Sequence, residues 1–282
     1  MNIKFTKMQG LGNDFIIIDN RKYNFKEKKL QSLAAQLCRR RLSIGADGLM
    51  VVENSEKQDF MMKYYNSDGS VGEMCGNGAR CMIRYAYENN IGKRDMTVET
   101  ISGILEGKII TKRKISVKLN KPSVVDLNRK VFVDGSKTNV TYVELGNPGL
   151  PHCMFEYKDL DRINLEKLKD KAKTLRYSDS FPKGANVNFY KVNEEGNVLI
   201  NTYERGVEDF TLACGTGAAS TALTVYLKKL VESKRIRLIT SGGELEVEVV
   251  DKGEDYDLYL IGDTNIIAQG LILDEDLNIG DE

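Results

Sequence analysis

Two stretches of the sequence, NSDGSVGEMCGNGARC at residues 66–81 and YERGVEDFTLACGTGA at residues 203–218, carry the same short motif in different halves of the chain. In each, a cysteine (Cys75 or Cys214) is followed directly by Gly-x-Gly and then by a helical pattern. Backbone N–H groups at the start of a helix stabilise anions, so they hold carboxylates and lower the pKa of a thiol. The motif therefore indicates two equivalent, chemically active helix starts.

The sequence on either side of these motifs also repeats. After each helical pattern comes a glycine hairpin, ETISGILEGKI at 99–109 and LITSGGELEVEV at 238–249. Upstream, we take GNDFIIID at 12–19 as the equivalent of GANVNFYKV at 184–192. This order predicts a duplicated unit, with a last strand at 264–273 that returns to the first half.

Short alternating or apolar stretches predict strands: IKFTKM, FIIID, MMKYY, ISVKL, VLINTY and ELEVEVV. Helical patterns cover residues 26–41, 164–174 and 215–230. The third is uncharged until Lys228 and rich in Ala, Ser and Thr, so it belongs inside a sheet. The predicted fold class is α/β of the α+β type.

We expect two domains, residues 1–120 plus the C-terminal strand 264–282, and residues 121–263. A pseudo-twofold relation between them would bring equivalent loops face to face, with the two cysteines across one cleft. Each domain would be a curved mixed or antiparallel sheet wrapped around a central helix.

Composition limits the function classes. The 282 residues hold 41 Lys+Arg and 41 Asp+Glu, which does not favour nucleic acid or an anionic membrane as partner. An odd number of cysteines with no export signal predicts reduced thiols and a cytoplasmic location. With His152 as the only histidine and no CxxC pair, a structural zinc site is not expected.

The paired cysteines suggest a chemistry that needs neither a metal nor pyridoxal phosphate. An unperturbed thiol has a pKa of about 8.5, so a helix start that lowers it provides a thiolate beside a bound carboxylate. A thiolate and a thiol can remove a proton from one face of a carbon and return one to the other. Fixed N–H dipoles in a dry site would stabilise the carbanion.

Structural interpretations compete with this hypothesis. A cysteine before Gly-x-Gly is usually a small buried residue, and only its repetition favours function. We interpret Cys38, Cys81 and Cys153 as packing residues. On residue type alone, His152 and the pair Glu204–Arg205 are more typical of structural or surface positions.

Taken together, the motifs resemble those of the diaminopimelate epimerase family over nearly the whole chain. They are KMQGLGNDFIIID, GADGL, NSDGSVGEMCGNGARC, PHC, GANVNF, YERGVEDFTLACGTGA and SGGELEV. The resemblance implies a two-domain fold and cofactor-independent interconversion of LL- and meso-diaminopimelate. It also implies a role in lysine and peptidoglycan synthesis and a homodimer.

The resemblance further implies individual roles. Cys75 and Cys214 match the base and acid, His152 the histidine beside the reacting carbon, and Glu204 a residue near the α-ammonium. Arg205 matches the anchor of the distal carboxylate. The remaining matches bind the α-carboxylate through backbone amides or position the substrate through side chains: Gly76, Asn77, Gly215, Thr216, Asn13, Asn66, Asn186 and Asn147.

Three departures from the family pattern bear on the substrate. GNPGLPHC separates Asn147 from His152, so either Asn147 reaches the substrate through a longer loop or Leu150 takes its place. Gly48 replaces a substrate-contacting glutamine of some members, and the segment 204–214 is one residue longer than in many. A related amino-acid racemase or a lanthionine epimerase therefore stays open. So does a non-enzymatic thiol-redox or ligand-binding protein.

Overall fold

A computed structural model of the protein describes residues 2–72 and 75–273. The chain divides into two compact units, Met1–Val117 with Gly262–Glu282, and Lys118–Ile261. The last residues of the predicted C-terminal strand, 274–282, lie outside the described part of the chain. Strands and helices are mixed in both units, which confirms the α+β fold class. The domain boundaries expected from the sequence stay a prediction.

The first unit contains two α-helices, α1 (Glu27–Leu37) and α2 (Gly76–Glu88). Its strands are β1 (Ile3–Gly10), β2 (Asn13–Asp19), β3 (Gly48–Glu53), β4 (Phe60–Asn66), β5 (Val71–Gly72), β6 (Asp95–Thr100), β7 (Gly103–Ile109), β8 (Lys114–Lys118) and the C-terminal β18 (Asn265–Ile272). They pair in the order β18–β1–β2–β3–β4–β6–β7–β8, with β5 beside β4. The antiparallel pairing of β18 with β1 confirms that the last described strand returns to the first half.

Strands β2 and β3 are buried on both faces, which explains their uninterrupted apolar sequences. On one face, Ile16 and Val51 pack with Leu33 of α1 in one hydrophobic cluster. On the other face, α2 packs against β1, β2 and β7. The helix that begins at the first cysteine motif is thus the central helix of this unit.

The second unit contains α3 (Lys169–Arg176) and α4 (Gly215–Leu227). Its strands are β9 (Pro122–Val133), β10 (Ser136–Leu145), β11 (Leu150–Glu156), β12 (Asn186–Val192), β13 (Val198–Glu204), β14 (Asp209–Thr211), β15 (Arg235–Thr240), β16 (Gly243–Asp251) and β17 (Tyr256–Asp263). The pairing order is β9–β10–β11–β12–β13–β15–β16, with β14 beside β13. Helix α4 is buried along most of its length and contacts β10–β13, β15 and β16, as its small uncharged residues predict.

The pairing shows which strands are equivalent in the two units. In the first unit β2 runs parallel to β3 across α1, and in the second β11 runs parallel to β12 across α3. The predicted equivalence of residues 12–19 with 184–192 is therefore wrong. The counterpart of β2 is β11, and the counterpart of β12 is β3. The prediction was shifted by one strand because both segments contain a similar run of glycine, asparagine and apolar residues.

Helix boundaries differ from the predicted ones for local reasons. Helix α1 stops at Leu37 instead of continuing to residue 41, because the carbonyl oxygens of Leu37 and Cys38 accept hydrogen bonds from Gly45 and Ala46 of the returning loop. The predicted helix 164–174 is a 3-10 turn at Leu165–Leu168 followed by α3. Helix α4 ends at Leu227, three residues early, where Lys229 adopts a φ of 55°. None of the helices in the described residues is long and apolar enough to span a bilayer.

The second glycine of each motif is required by close packing. A Cβ on Gly78 would overlap the Met50 side chain and lie 3.3 Å from Phe15 Cζ. A Cβ on Gly217 would overlap Asn188 Oδ1 and lie 3.1 Å from Thr202 Oγ1. These glycines therefore let the first turn of each central helix lie directly on the strands of its own unit.

We predict that Gly217→Ala lowers the free energy of unfolding by about 1–3 kcal/mol, although Gly→Ala in an open helix is normally stabilising. Gly78→Ala should cost less, because its neighbour is the flexible end of Met50. Urea unfolding of both variants at an unchanged m-value measures the difference. A Gly217→Ala protein as stable as the wild type would contradict the packing argument.

Candidate active site

Cys75 is the N-cap residue of α2, with extended backbone angles (φ −129°, ψ 115°). Its carbonyl oxygen accepts the N–H of Ala79 at 2.8 Å, an i to i+4 bond of the helix. The N–H groups of Gly76 and Asn77 precede that bond, and the first amides of a helix have no acceptor within it. The Cys75 side chain is partly exposed. Thiol and amide donors thus lie together at this helix start.

Cys214 has nearly the same local geometry at the N-cap of α4 (φ −114°, ψ 112°). Its carbonyl accepts the N–H of Ala218 at 2.9 Å, and its Sγ lies 3.5 Å from Thr216 Oγ1. It is also partly exposed. The expectation that both cysteines immediately precede a helix is confirmed.

The other three cysteines are buried. Burial raises the pKa of Cys38 and Cys81 to about 12 and that of Cys153 even further. They are buried among the apolar residues of each unit and have little thiolate at neutral pH. This agrees with their interpretation as packing residues.

In the first unit the structure brings Asn13 and Asn77 together. Asn77 Nδ2 donates to Asn13 Oδ1 at 2.7 Å, and Asn13 Nδ2 donates to Asp47 Oδ2 at 2.9 Å. Asn66 lies at the end of β4, where its Nδ2 donates to Ser70 Oγ at 2.9 Å. Asn66 is therefore tied to its own turn.

The packing of a neighbouring tyrosine explains why residue 48 is a glycine in this chain. A Cβ there would overlap the ring of Tyr64 and approach Tyr65 O to 2.6 Å, and Gly72 also lies against that ring. The partly buried Tyr64 ring fills the space above both glycines. A glutamine at position 48 would require Tyr64 to move.

In the second unit His152 is completely buried in β11. Asn188 Nδ2 lies 3.3 Å from His152 Nδ1, and the same nitrogen faces the carbonyl oxygens of Cys153 and Asn186. Because carbonyl oxygens can only accept, the Asn188 amide must turn its nitrogen toward them and toward His152. Its Oδ1 then accepts from Thr202 Oγ1 at 2.8 Å. His152 Nδ1 is therefore the acceptor, and Nε2 carries the proton.

The charge state of His152 follows from its surroundings. Burial, with a smaller contribution from the Arg205 charge, lowers the pKa of His152 to about 3. The imidazole is thus neutral throughout the physiological range. Its Nε2 has no hydrogen-bond partner in the described residues. A neutral N–H donor without a described partner is therefore buried at this position.

Asn186 connects β11 to the segment that carries the predicted charged residues. Its Nδ2 donates to Pro151 O at 3.1 Å, and its Oδ1 accepts the Arg205 N–H at 2.9 Å. Arg205 Nη1 donates to Lys183 O at 3.0 Å. Burial raises the pKa of the Glu204 carboxyl. The side chain of Asn186 therefore positions the backbone of Arg205.

The structure places Asn147 and Leu150 differently, which bears on which of them takes the place of the family's asparagine. Asn147 is exposed in the turn between β10 and β11 and forms a cis peptide with Pro148. Leu150 begins β11, two residues before His152, which pairs with Asn186. In the first unit Asn13 holds the same register position, two residues before Phe15, which pairs with Gly48.

Sequence reasoning missed three residues that shape these sites. They are Arg80, which bonds to Asn77, Tyr64 above Gly48, and Asn188 beside His152. Asn188 had a signal, because the alternation in GANVNF places it on the same face as Asn186. Within residues 2–72 and 75–273, no group of three or more His, Cys, Asp or Glu side chains is arranged to hold a metal ion.

Comparison with known proteins identifies the family. A family model described as diaminopimelate epimerase matches residues 5–125 and 145–267. A diaminopimelate epimerase from Aquifex aeolicus (strain VF5) is 37% identical over 97% of this chain and 99% of its own length. One from Methanocella arvoryzae is 40% identical over 88% of this chain and 90% of its own.

Solved structures with much lower identity share the fold. A PhzF-family phenazine biosynthesis protein from Bacillus anthracis superimposes with a TM-score of 0.71 at 15% identity, covering 97% of this chain and 99% of that one. A hydroxyproline epimerase from Agrobacterium vitis gives 0.69 at 12% identity, covering 99% and 95%. At such identities the likeness shows the fold alone.

We predict that iodoacetamide at pH 7.5 labels Cys75 and Cys214 of the reduced native protein, because only these two of the five are partly exposed. Cys38, Cys81 and Cys153 should react only after unfolding in urea. Peptide mass spectrometry at successive times measures each site. Early labelling of any buried cysteine would contradict this assignment.

We predict that acid destabilises the protein partly through His152. Its folded pKa is lowered to about 3, whereas an unfolded histidine has a pKa of about 6.5. Between these values only the unfolded state binds the proton, so stability falls as pH falls, by at most about 1.4 kcal/mol per pH unit.

His152→Gln removes this contribution, and urea unfolding from pH 7.5 to 4.5 should then show a shallower pH dependence. The carboxylates contribute equally to both proteins, so the difference between the two curves isolates the histidine. Parallel curves would contradict the neutral, buried imidazole.

Proposed function

The chain belongs to the diaminopimelate epimerase family, and on this premise we propose that it interconverts LL- and meso-2,6-diaminopimelate by proton transfer between two cysteines. The observation that carries the proposal is the pair of partly exposed thiols, each at the N-cap of a buried central helix with nearly the same backbone angles. Amide N–H groups at both helix starts support binding of one anionic carboxylate.

In the proposed reaction, one cysteine acts as a thiolate and removes the α-proton, becoming a thiol. The electron pair left on carbon delocalises into the α-carboxylate, where N–H groups of residues such as Gly76, Asn77, Gly215 and Thr216 stabilise the added charge. The second cysteine, a thiol, delivers its proton to the opposite face and becomes a thiolate. One proton is taken and one is given, so neither a metal nor an organic cofactor is required.

Charged and polar residues of the second unit support an amino-acid substrate. Glu204 would accept from the α-ammonium, whose positive charge favours the carboxylate form against the burial that raises its pKa. Neutral His152 would act as an N–H donor beside the reacting carbon, rather than as a base. These roles need no protonation change of the imidazole.

Arg205 supports the assignment of a substrate with a distal carboxylate. Its side chain is fixed by one Nη1 bond to Lys183 O. In the described part of the chain, no carboxylate oxygen lies within ion-pair distance of its guanidinium, which leaves bidentate geometry available for a carboxylate. A shorter amino acid would leave this charge unpaired.

The register of β11 bears on how the distal end is held. Leu150, not Asn147, takes the position that Asn13 has in the first unit. We infer that one polar contact common in the family is absent, so Arg205 carries more of the distal recognition. The product would serve lysine and peptidoglycan synthesis in the cytoplasm, and we expect a homodimer.

We predict that the reduced protein, incubated with LL-diaminopimelate in deuterated water without added cofactor, forms meso product with deuterium at the inverted α-carbon. Mass spectrometry and chiral chromatography measure both. Inversion without deuterium uptake would contradict exchange with cysteine protons. Inactivity on this substrate but turnover of lanthionine or a monocarboxylate amino acid would assign a related epimerase or racemase.

Cys75→Ala and Cys214→Ala should each abolish net inversion, whereas Cys153→Ala, which removes a buried thiol, serves as the matched control and should keep it. Near wild-type inversion by either active-site variant would rule out the two-cysteine mechanism. Reversible loss of both thiols on oxidation, with no exchange at carbon in any substrate, would instead support a thiol-redox protein.

A further inference from the structure

Arg80 lies in α2, in the second turn after Cys75, and its side chain is fully buried. Its Nη2 donates to Asn77 Oδ1 at 2.8 Å and its Nη1 to Gly76 O at 3.4 Å. The Nε has no hydrogen-bond partner in the described structure. A buried guanidinium is costly unless it is well compensated. Arg80 bonds to the start of its own helix and not to a carboxylate. The burial of its charge therefore calls for an explanation in terms of function.

The guanidinium begins a chain of hydrogen bonds with a fixed direction. Arg80 can only donate, so the Asn77 atom beside it is Oδ1, and Asn77 Nδ2 must point toward Asn13. At the far end the Asp47 carboxylate can only accept, so Asn13 presents Nδ2 to it and Oδ1 to Asn77. Both asparagine amides are therefore held in one orientation from two ends.

The outer end of this chain is anchored in an ion cluster. Arg40 Nη2 lies 2.8 Å from Asp47 Oδ1 and 2.6 Å from Asp14 Oδ1. Asp14 also pairs with Lys7 at 2.7 Å, and its N–H donates to Asp47 Oδ2 at 3.1 Å. The position of Asp47 is thus fixed independently of the site.

We propose that Arg80 is a positioning residue for the helix start at Cys75. It orients the side chains of Asn77 and Asn13 for substrate, and its positive charge favours the thiolate of Cys75. The orientation of substrate by Arg80 rests on the proposed function. The effect of Arg80 on the Cys75 thiol does not. Besides Cys75, the ionisable groups whose charges act on Arg80 are the buried Cys81 thiol and the Asp263 carboxylate. Neither of these two groups carries a positive charge.

Arg84 provides a matched control on the same helix. It is also buried, but its Nη1 donates to Thr264 O at 2.6 Å and its Nε pairs with Glu88 at 3.2 Å. Loss of Arg84 removes a buried guanidinium from α2 without touching Asn77. A purely structural role of Arg80 would make the two arginines behave alike.

The first experiment follows alkylation of Cys75 by iodoacetamide from pH 5 to 10 in a Cys214→Ala background, where the other thiols are buried. We expect Arg80→Met to raise the pH midpoint of alkylation by about one unit. Arg80→Lys, which keeps the charge, and Arg84→Met should leave it unchanged. Equal midpoints in all variants would overturn the electrostatic role.

The second experiment measures kcat and KM for LL-diaminopimelate in the presence of both cysteines. Arg80→Lys cannot form the fork to Asn77 and Gly76, and Asp47→Ala frees Asn13, so each should lower kcat/KM at least about tenfold. Arg84→Met should change it less than twofold. Unchanged kcat/KM in Arg80→Lys and Asp47→Ala would overturn the positioning role.

The two readouts separate this inference from the proposed function. A wild-type protein that does not epimerise diaminopimelate, but whose Cys75 midpoint shifts in Arg80→Met, would refute the substrate while supporting the Arg80 assignment. If Arg80→Met does not fold, Arg80→Lys and Asp47→Ala still decide the positioning role.

Discussion

The structure depends on a constraint at two helix starts: the first amide groups of a buried α-helix have no acceptor within the helix. Here both central helices begin against their own sheets, because Gly78 and Gly217 allow strand side chains to approach where a Cβ would collide. The helix start is thereby held against the sheet of its own unit. A cysteine at each N-cap places a thiol beside those first amide groups. Packing, rather than a flexible loop, fixes the positions of the two N-cap cysteines.

The two units support this constraint with different chemistry. In the first, a buried cation lies behind the helix start, and a directed chain of amides joins Arg80 to the carboxylate of Asp47. In the second, the buried network contains Thr202, Asn188 and neutral His152, with no formal charge among them. The buried networks of the two units thus differ in charge. The proposed two-base reaction interconverts two forms of the cysteine pair, with the thiolate at one cysteine or at the other. A difference in charge between the two units is compatible with this reaction, because the two forms can then differ in energy.

How far sequence alone could predict this arrangement depends on the kind of interaction. The cysteine motif, the buried α4 and the return of the last strand follow from local pattern and repetition, and the structure confirms them. Strand equivalence does not, because GNDF and GANVNF look alike while pairing places β2 with β3 and β11 with β12. Helix α1 ends early because of hydrogen bonds from a distant loop. Arg80 looked like an ordinary helix residue, since only the tertiary structure shows that it is buried and bonded to Asn77.

The corrected equivalence also changes the interpretation of the departures. Asn13 and Leu150 hold the same register position, so the duplicated unit keeps a polar side chain there in one half and an apolar one in the other. Asn13 is committed at both ends of its amide, to Asn77 and Asp47. A leucine in the second unit needs no such partners, and most polar side chains of the network there come from β12 and β13: Asn186, Asn188 and Thr202, beside His152 of β11. The two copies therefore differ in which strands carry most of their polar side chains, while the two helix starts with their N-cap cysteines have stayed alike.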